Sequence, residues 1–477
     1  MNAPSTESRR ARFARGKALR KDNPREAHGA FKGAHARDPV AILARSDAER
    51  IPELVPIRYQ RMTASPFAFL RGSAAVMAED LAGEPKAGAA VQACGDCHLM
   101  NFGAFLSPEH NPLFDINDFD EALPNVDFTI DVKRLAASVA VAAQAENFSD
   151  ARARAFAVGA VAAYRKHMRE LAALAPLEIW HSSIDLAEQI RYFSDTALPG
   201  RLQALLDRVR RSPDHDDNYP RLATMVDGSP RIADHETTIM HEIASIGPAS
   251  KVLQPVLGKY LDGLPRERAV ILDRYEVADT AYKVVGVGSV GTLCAIGLYM
   301  SGDGEPLFLQ IKQSLKSVLE TVAPGSAWKG GQGERVVEGQ RMLQAASDIF
   351  LGSVVDEASG RHFYVRQLKN RRLGGVSELL EGDALPAYAR LCGRTLARAH
   401  ARSGDPAVIA GYLGRSGAFD DALGSFAMLY AKQTAQDHAA LLAAKGAPPP
   451  AAKSKPSAEK KANTKSKSKA KVKAAKK

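Results

Sequence analysis

With 477 residues, 45% of them hydrophobic and 25% charged, the chain has the composition of an ordinary globular protein and enough length for two or three folded units. Its formal net charge of +10 suggests a polyanion binder, yet residues 451–477 carry eleven Lys and one Glu and account for all of that charge, so a basic fold is excluded. No uninterrupted apolar 18-mer occurs, which argues against a membrane span, and four Cys in so long a chain argue against a disulfide scaffold and for a reducing cytoplasm.

The first division, 1–26, is basic from Arg9 to Lys21, lacks the apolar stretch of a secretory signal and is expected to be flexible. A second division, 27–281, opens with short helices, one of them starting at Asp38-Pro39. Ile51 to Arg71 (IPELVPIRYQRMTASPFAFLR) reads as a packed, irregular cover segment, and its Arg58, Arg61 and Arg71 are either rim charges or groups that neutralise a phosphate or an acid. Val91 to Phe105 reads as a short strand, a polar turn and another apolar run, and Pro112 to Phe119 repeats this with more acid. Ile130 to Gln144 is a buried helix by composition, and helices are expected to dominate from there to Ala281.

From 282 to 375 the pattern turns β-rich: KVVGVGSVGTLCAIGLY, then PLFLQIK ending at Lys312, then FYVRQL, with a helix expected over Val336–Phe350. Helices return within 376–446, at Ala387–Arg402 with a glycine terminus at Gly404 and at Phe419–Ala444. The last division, 447–477, has no apolar periodicity to support order and is expected to be a disordered tail, open to nonspecific contact with nucleic acid or anionic surfaces.

Chemistry concentrates in two places. Gly286, Gly288 and Gly291, with Ser289 between them, form a GxGxxG pattern. The residues after it look like a second strand, so a glycine hairpin covering phosphates fits better than a dinucleotide fold, with a purely structural hairpin as the alternative. Lys312, 21 positions after Gly291, stands where a strand lysine would reach nucleotide phosphates. Its expected carboxylate partner is Glu320, with Glu338 as second choice.

The other place is Cys94-Gly95-Asp96-Cys97-His98-Leu99-Met100-Asn101, followed 17 positions later by Asp118. Asp96 suits a carboxylate that receives a hydroxyl proton, and Asn101 and Asp118 are hard oxygen ligands for Mg²⁺, with Asp120 or Asp115 as a further ligand. The same stretch also satisfies CxxCH, the haem-attachment spacing, and CxxC, a redox spacing, while Cys294 and Cys392 suit core packing better than zinc. Arg335, Arg341 and Arg366 carry the same ambiguity as the cover-segment arginines, and His400 reads as a packing or helix-end histidine.

GDCHLMN resembles the GDxHxxN catalytic loop of the aminoglycoside and choline phosphotransferases, which belong to the protein-kinase-like superfamily, and Ile116 to Asp120 resembles the metal-binding strand after it. The resemblance implies Asp96 as catalytic acid/base, Asn101 and Asp118 as Mg²⁺ ligands, His98 as a loop-shaping residue and Asp131 as the helix-borne acid bracing the loop. Leu396 to His400 resembles the helix that leads into that loop. The implied fold is α+β and two-lobed, with a large helical lobe and a small β-rich nucleotide lobe. It is circularly permuted, because the glycine loop here follows the catalytic loop. The implied activity is Mg-ATP-dependent phosphotransfer to an unidentified small-molecule hydroxyl; an ATP-binding pseudokinase or scaffold with a polyanion-binding tail is the alternative. From about Ala27 to Leu442 the chain also resembles a bacterial family, the domain of unknown function numbered 2252, through RMxxSPFAFLRG, GDCHLxNFG, KVVGVGSVGT and GQRxxQAASD.

Overall fold

The computed structural model describes residues 6–32, 37–211, 222–235, 237–368 and 376–445; the Lys-rich tail lies outside them. The fold is mixed α+β, with many helices and several small sheets. None of the described helices is long and apolar enough to cross a membrane.

The largest sheet has six antiparallel strands. In spatial order they are Gly352–Asp356, Arg361–Gln367, Pro306–Gln313, Cys294–Ser301, Tyr275–Lys283 and Ile239–Met240. Two-residue periodicity sorts its central strands onto two buried faces. Ala295, Tyr299, Leu307, Leu309 and Ile311 join one apolar cluster, and Ile296, Leu298 and Phe308 join another. In this register Cys294 pairs with Lys312 and Ile296 with Gln310, so Lys312 follows Phe308 and Gln310 along the second face.

The helix Ala249–Asp262 packs Leu253, Val256, Leu257 and Tyr260 into the first of these clusters, and the Tyr260 hydroxyl donates to the carbonyl of Phe350. The sheet unit therefore starts well ahead of the expected boundary at 282. Five short strands lie between Ala223 and Pro248 where helices were expected, and the first strand of the glycine hairpin begins at Tyr275. The start of that strand, Tyr275 to Asp279, is largely solvent-facing and polar, which hid it from a search for apolar runs. The helix expected over Val336–Phe350 spans Gln332–Leu343.

A second, larger core belongs to the helices. Thr129–Ala145 is buried on nearly every face and is surrounded by Asp150–Leu171, Leu385–Ser403 and Ala418–Lys445. Its run of Ala and Val suits a helix enclosed by others.

The N-terminal division is structured from Ser8 onward, contrary to the expectation of flexibility. The helix Arg9–Ala18 lies against Pro406–Leu413, and Gly16 and Gly411 permit an approach so close that a methyl group at either would overlap the other helix's backbone. Arg20 and Arg25 then donate to the carbonyls of Gly411, Tyr412 and Leu413. These are the last carbonyls of a helix, which have no intrahelical partner and carry the negative end of its dipole.

Candidate functional site

The strand Ala90–Ala93 pairs with Leu123–Asp127 and delivers the loop 94–101 to the end of the buried helix. Gly95 sits at φ 88°, a left-handed conformation, and a Cβ there would overlap Glu121, so glycine is required on both counts. Asp131, in the first turn of Thr129–Ala145, accepts from the backbone N–H groups of Cys94 at 2.8 Å and Gly95 at 3.0 Å. His400 Nε2 meets the same carboxylate at 3.1 Å, and its Nδ1 lies 2.9 Å from the Tyr164 hydroxyl. Asp131 thus ties the start of the loop to the helix through two backbone N–H groups, and His400 contacts the same carboxylate.

Within the loop, Asn101 Nδ2 donates to the Asp96 carbonyl at 2.7 Å, and His98 Nδ1 accepts from Met100 N at 3.2 Å. Burial pushes the His98 imidazole down to about 4, so it is neutral near pH 7. Its Nε2 lies 3.6 Å from Asp96 Oδ2. Arg134, one turn beyond Asp131, donates to Asp96 Oδ1 from Nε at 3.0 Å and from its terminal nitrogen at 2.7 Å.

The hairpin Phe102–Leu106 and Pro112–Ile116 carries the chain to the acidic turn. Asp115 leaves the set of metal candidates: it is buried away from the turn, gripped by Arg398 at 2.6 and 2.7 Å and by Ala345 N at 2.9 Å. Asp118 Oδ1 accepts from Asp120 N at 3.2 Å. Asp120 receives the Lys312 ammonium and the Ser289 hydroxyl at 3.0 Å on Oδ2, and the Tyr364 hydroxyl at 3.0 Å on Oδ1.

Lys312 therefore pairs with neither Glu320 nor Glu338. Glu320 accepts from Trp328 N at 3.3 Å, and Glu338 lies exposed on Gln332–Leu343. That helix turns Arg335 inward instead, where it donates to the carbonyls of Asp120 and Leu315 at 2.7 and 2.8 Å. A buried guanidinium on this face leaves the lysine's countercharge to the acidic turn. Burial alone would lower the Lys312 ammonium, but Asp120 overcomes it and holds the group above its ordinary value. Burial would likewise raise Asp120, and Lys312 draws it below the usual carboxylate range. Asp118 lies above that range through burial and repulsion from Asp120.

The strands Tyr275–Lys283 and Cys294–Ser301 enclose the glycine loop. Gly286 and Gly291 have φ of 52° and 95°, respectively, which places both in the left-handed region. The cover segment, whose helices span Val55–Met62 and Pro66–Gly72, holds the loop down. Arg50 donates to Val290 O at 2.6 Å, Ile51 N to Gly291 O at 2.7 Å and Arg61 to Gly286 O at 2.7 Å. A Cβ placed on Gly288 would lie 3.2 Å from Arg71 O and 3.8 Å from Asp96 Oδ2.

Asp96, His98, Asn101, Asp118, Asp120, Gly286, Gly288 and Ser289 thus line one cleft, with Lys312 joined to it through Asp120. Gly291 lies to one side against Arg50, and Glu320 and Glu338 are outside. Three participants escaped the sequence reading: Arg134, Tyr364 and Glu121. Arg134 could have been found, because it follows Asp131 by three positions and must share its helical face. Glu121 lines the cleft and burial pushes it up to about 7, although Val318 N donates to it at 2.8 Å.

The thiols of Cys94 and Cys97 are buried in the helical core and raised by that burial, which suits packing and not redox or haem chemistry. Residues 50–444 match a family described as an uncharacterized protein conserved in bacteria, DUF2252. The chain belongs to this family. Comparisons with curated proteins and with solved structures give no match. The DUF2252 match takes in the cover segment, the 94–101 loop, the acidic turn and the glycine hairpin, and leaves out the helix Arg9–Ala18.

Among the described residues no group of three or more His, Cys, Asp or Glu side chains is disposed to hold a metal. A magnesium ion shared with phosphates needs only one or two carboxylates, since it keeps waters and phosphate oxygens as its other ligands. The cleft's donors fit that need. Asn101 Nδ2 is engaged by the Asp96 carbonyl, which leaves Oδ1 as the acceptor, and Asp118 is a half-buried carboxyl raised by desolvation and by the neighbouring Asp120. A dication would relieve that repulsion.

Proposed function

We propose that this protein is a Mg-ATP-dependent phosphotransferase acting on a small-molecule hydroxyl, built as a circularly permuted, kinase-like two-lobed fold. The observation that carries the reading is the Lys312–Asp120 ion pair, which joins the lysine strand behind the glycine hairpin to the acidic turn behind the GDCHLMN loop. Counted from the glycine hairpin, Lys312 lies on the third strand and a helix follows, as the lysine strand and helix C do in protein kinases. The permutation is supported at its seam. Ser403, at the end of Leu385–Ser403, accepts from Gln92 N at 3.1 Å, and Tyr388 of the same helix donates to Leu99 O at 2.8 Å. The helix that would lead into a catalytic loop thus ends beside this one.

In this mechanism the acceptor oxygen attacks the γ-phosphorus, the bond to the β-phosphate oxygen breaks, and ADP leaves. Asp96 orients the hydroxyl and takes its proton, with Arg134 fixing Oδ1 so that Oδ2 faces the hairpin. Lys312 aligns phosphate oxygens and the hairpin covers them. Asn101 and Asp118, with Asp120 beside them, would hold Mg²⁺, which supplies neutralisation of the phosphate charge. The Ser289–Asp120 hydrogen bond closes the hairpin onto the acidic turn, so in this reading the bond opens and the hairpin lifts when the phosphates enter.

That closed cleft also favours a second reading, an ATP-binding pseudokinase or scaffold, with the 447–477 tail contacting polyanions. Labelled ATP incubated with a metabolite extract separates the two. Transfer by the wild type that falls at least ~100-fold in Asp96→Asn, with Mg-ATP affinity kept, supports the enzyme. Mg-ATP binding with no labelled acceptor supports the scaffold, and NAD binding without ATP binding rejects both.

A further inference from the structure

The proposed reaction leaves one cation of the cleft without a task. Three arginines of the cover segment approach the glycine hairpin, and two are already committed. Arg58 donates to Asp47 at 2.7 Å and to Gly72 O at 2.8 Å, and Arg61 donates to Gly286 O at 2.7 Å. Arg71 lines the cleft, yet among the described residues its guanidinium makes no hydrogen bond or ion pair, and its Nε is buried without a partner. The residue is half-buried, so the end of the guanidinium still meets water, but a cation partly withdrawn from solvent with one buried donor unpaired is better satisfied when an anion joins it.

Its surroundings define that anion. The Arg71 carbonyl and Asp96 Oδ2 flank the same point beside Gly288. The Arg134 guanidinium holds Asp96 Oδ1 and at the same time donates to the carbonyl of Leu70, the residue before Arg71. One buried side chain thus ties the arginine's helix to the candidate catalytic carboxylate. Asp96 is the anion that acts on Arg71 across the cleft, but its Oδ1 is held by Arg134 and no hydrogen bond joins it to Arg71, so the Arg71 guanidinium is free to take a second anion. The Arg71 side chain lines the same cleft as Gly288 and Asp96, so in the phosphotransferase reading an anion held there by its guanidinium would lie between the covering glycine and the carboxylate that receives the proton, which is the path of the phosphoryl group.

We propose that Arg71 is a catalytic residue whose guanidinium binds the oxygens of the transferred phosphoryl group, an arginine supplied in cis by the N-terminal cover segment. The inference rests on the phosphotransferase reading. The planar fork of Arg suits two phosphoryl oxygens at once, and it stabilises charge that spreads over them as the bond to ADP loosens. The same role gives a reason for the SPFAFLRG stretch beyond packing: its helix delivers Arg71 to the point where hairpin and loop meet.

The test uses the full chain, labelled ATP and the metabolite extract. Arg71→Ala is expected to lower turnover ~10²- to 10⁴-fold while calorimetric Mg-ATP affinity stays within ~3-fold, because the contact forms in the transition state. Added guanidinium ion restores turnover to Arg71→Ala and not to Asp96→Asn, which a merely structural loss would not show. Arg71→Lys, which preserves charge and folding, remains at least ~10-fold slow. Turnover of Arg71→Ala within ~3-fold of wild type, or equal losses of turnover and Mg-ATP affinity without rescue, overturns the inference alone. A wild type that transfers no phosphoryl group overturns the inference and the phosphotransferase reading together.

Discussion

Asp131→Asn isolates the support of the candidate catalytic loop, because the substitution keeps the shape of the side chain and removes one acceptor oxygen and the charge. Asp131 is fully buried and serves three donors, the N–H groups of Cys94 at 2.8 Å and Gly95 at 3.0 Å and His400 Nε2 at 3.1 Å. An asparagine can accept from one backbone N–H, but its amide must then point donor-to-donor at the other. A hydrogen bond to a charged acceptor contributes about 1.5–3 kcal/mol, and a buried donor left unpaired costs about 1–3 kcal/mol. Cys94 N and His400 Nε2 share one oxygen, so an asparagine can keep both and leave Gly95 N unpaired; with that donor lost and the other two deprived of a charged acceptor, the expected loss is ~3–5 kcal/mol. Urea unfolding measures the total, and amide hydrogen exchange should show Cys94 and Gly95 losing protection while the middle of Thr129–Ala145 keeps it. A second variant, His400→Asn, should couple to Asp131→Asn rather than add to it. A loss under ~1 kcal/mol with unchanged exchange at 94 and 95 would refute the bracing argument.

Glu121→Gln should remove a pH dependence. A carboxyl raised to about 7 in the fold binds its proton more tightly there than in the unfolded chain, so wild-type stability falls relative to the variant as pH rises from about 4.5 to about 7. Thermal melts should coincide below about pH 4.5 and favour the variant by up to ~3 kcal/mol above pH 7; parallel curves at every pH would reject this. Lys312→Met leaves the half-buried Asp120 without its ammonium and should cost about 2–3 kcal/mol, less than a fully buried pair because water reaches the carboxylate, with part of the loss recovered in Lys312→Met/Asp120→Asn; urea unfolding of both decides it. Removal of residues 1–26 should lower thermal stability, since it exposes Gly411 and the last carbonyls of Pro406–Leu413, whereas truncation after Gly446 should leave the melt and Mg-ATP affinity unchanged.

The residues that could be read from sequence are those whose chemistry is declared by near neighbours. Asp96, His98 and Asn101 lie within six positions, the three glycines within six more, and Lys312 at the end of an apolar strand. The helices at Thr129–Ala145, Leu385–Ser403 and Ala418–Lys445 were legible for the same reason, as long uninterrupted patterns of Ala and Leu. What escaped is set by contacts between distant segments. The partner of Lys312 lies 192 positions earlier in the chain, and proximity in sequence pointed to Glu320 instead. Whether a helix turns a carboxylate or an arginine inward depends on which residues it meets, and Gln332–Leu343 meets the carbonyls of Asp120, Ala122 and Leu315, which accept only from donors. The N-terminal helix was hidden by its own composition. A run of arginines looks like a solvated end until the carbonyl terminus that Arg20 and Arg25 cap is known to be there.

The same distinction bears on how the cleft can move. Arg134 binds the Leu70 carbonyl and Asp96 together, and Asp131 on the same helix binds Cys94 and Gly95, so the helix Pro66–Gly72, the loop 94–101 and the start of Thr129–Ala145 form one buried unit. The glycine loop is fastened differently, through Arg61 and Ser289 on partly exposed hydrogen bonds and through Arg50 and Ile51 at its far side. Hydrogen bonds open to solvent cost little to exchange for bonds to water or to phosphate oxygens, whereas buried charged ones do not. Opening the cleft should therefore move the hairpin about its Arg50 end while Arg71, Asp96 and Asn101 keep their spacing. A nucleotide entering this cleft would then meet a rigid floor and a movable cover, which is the division of labour that phosphoryl transfer by positioning requires.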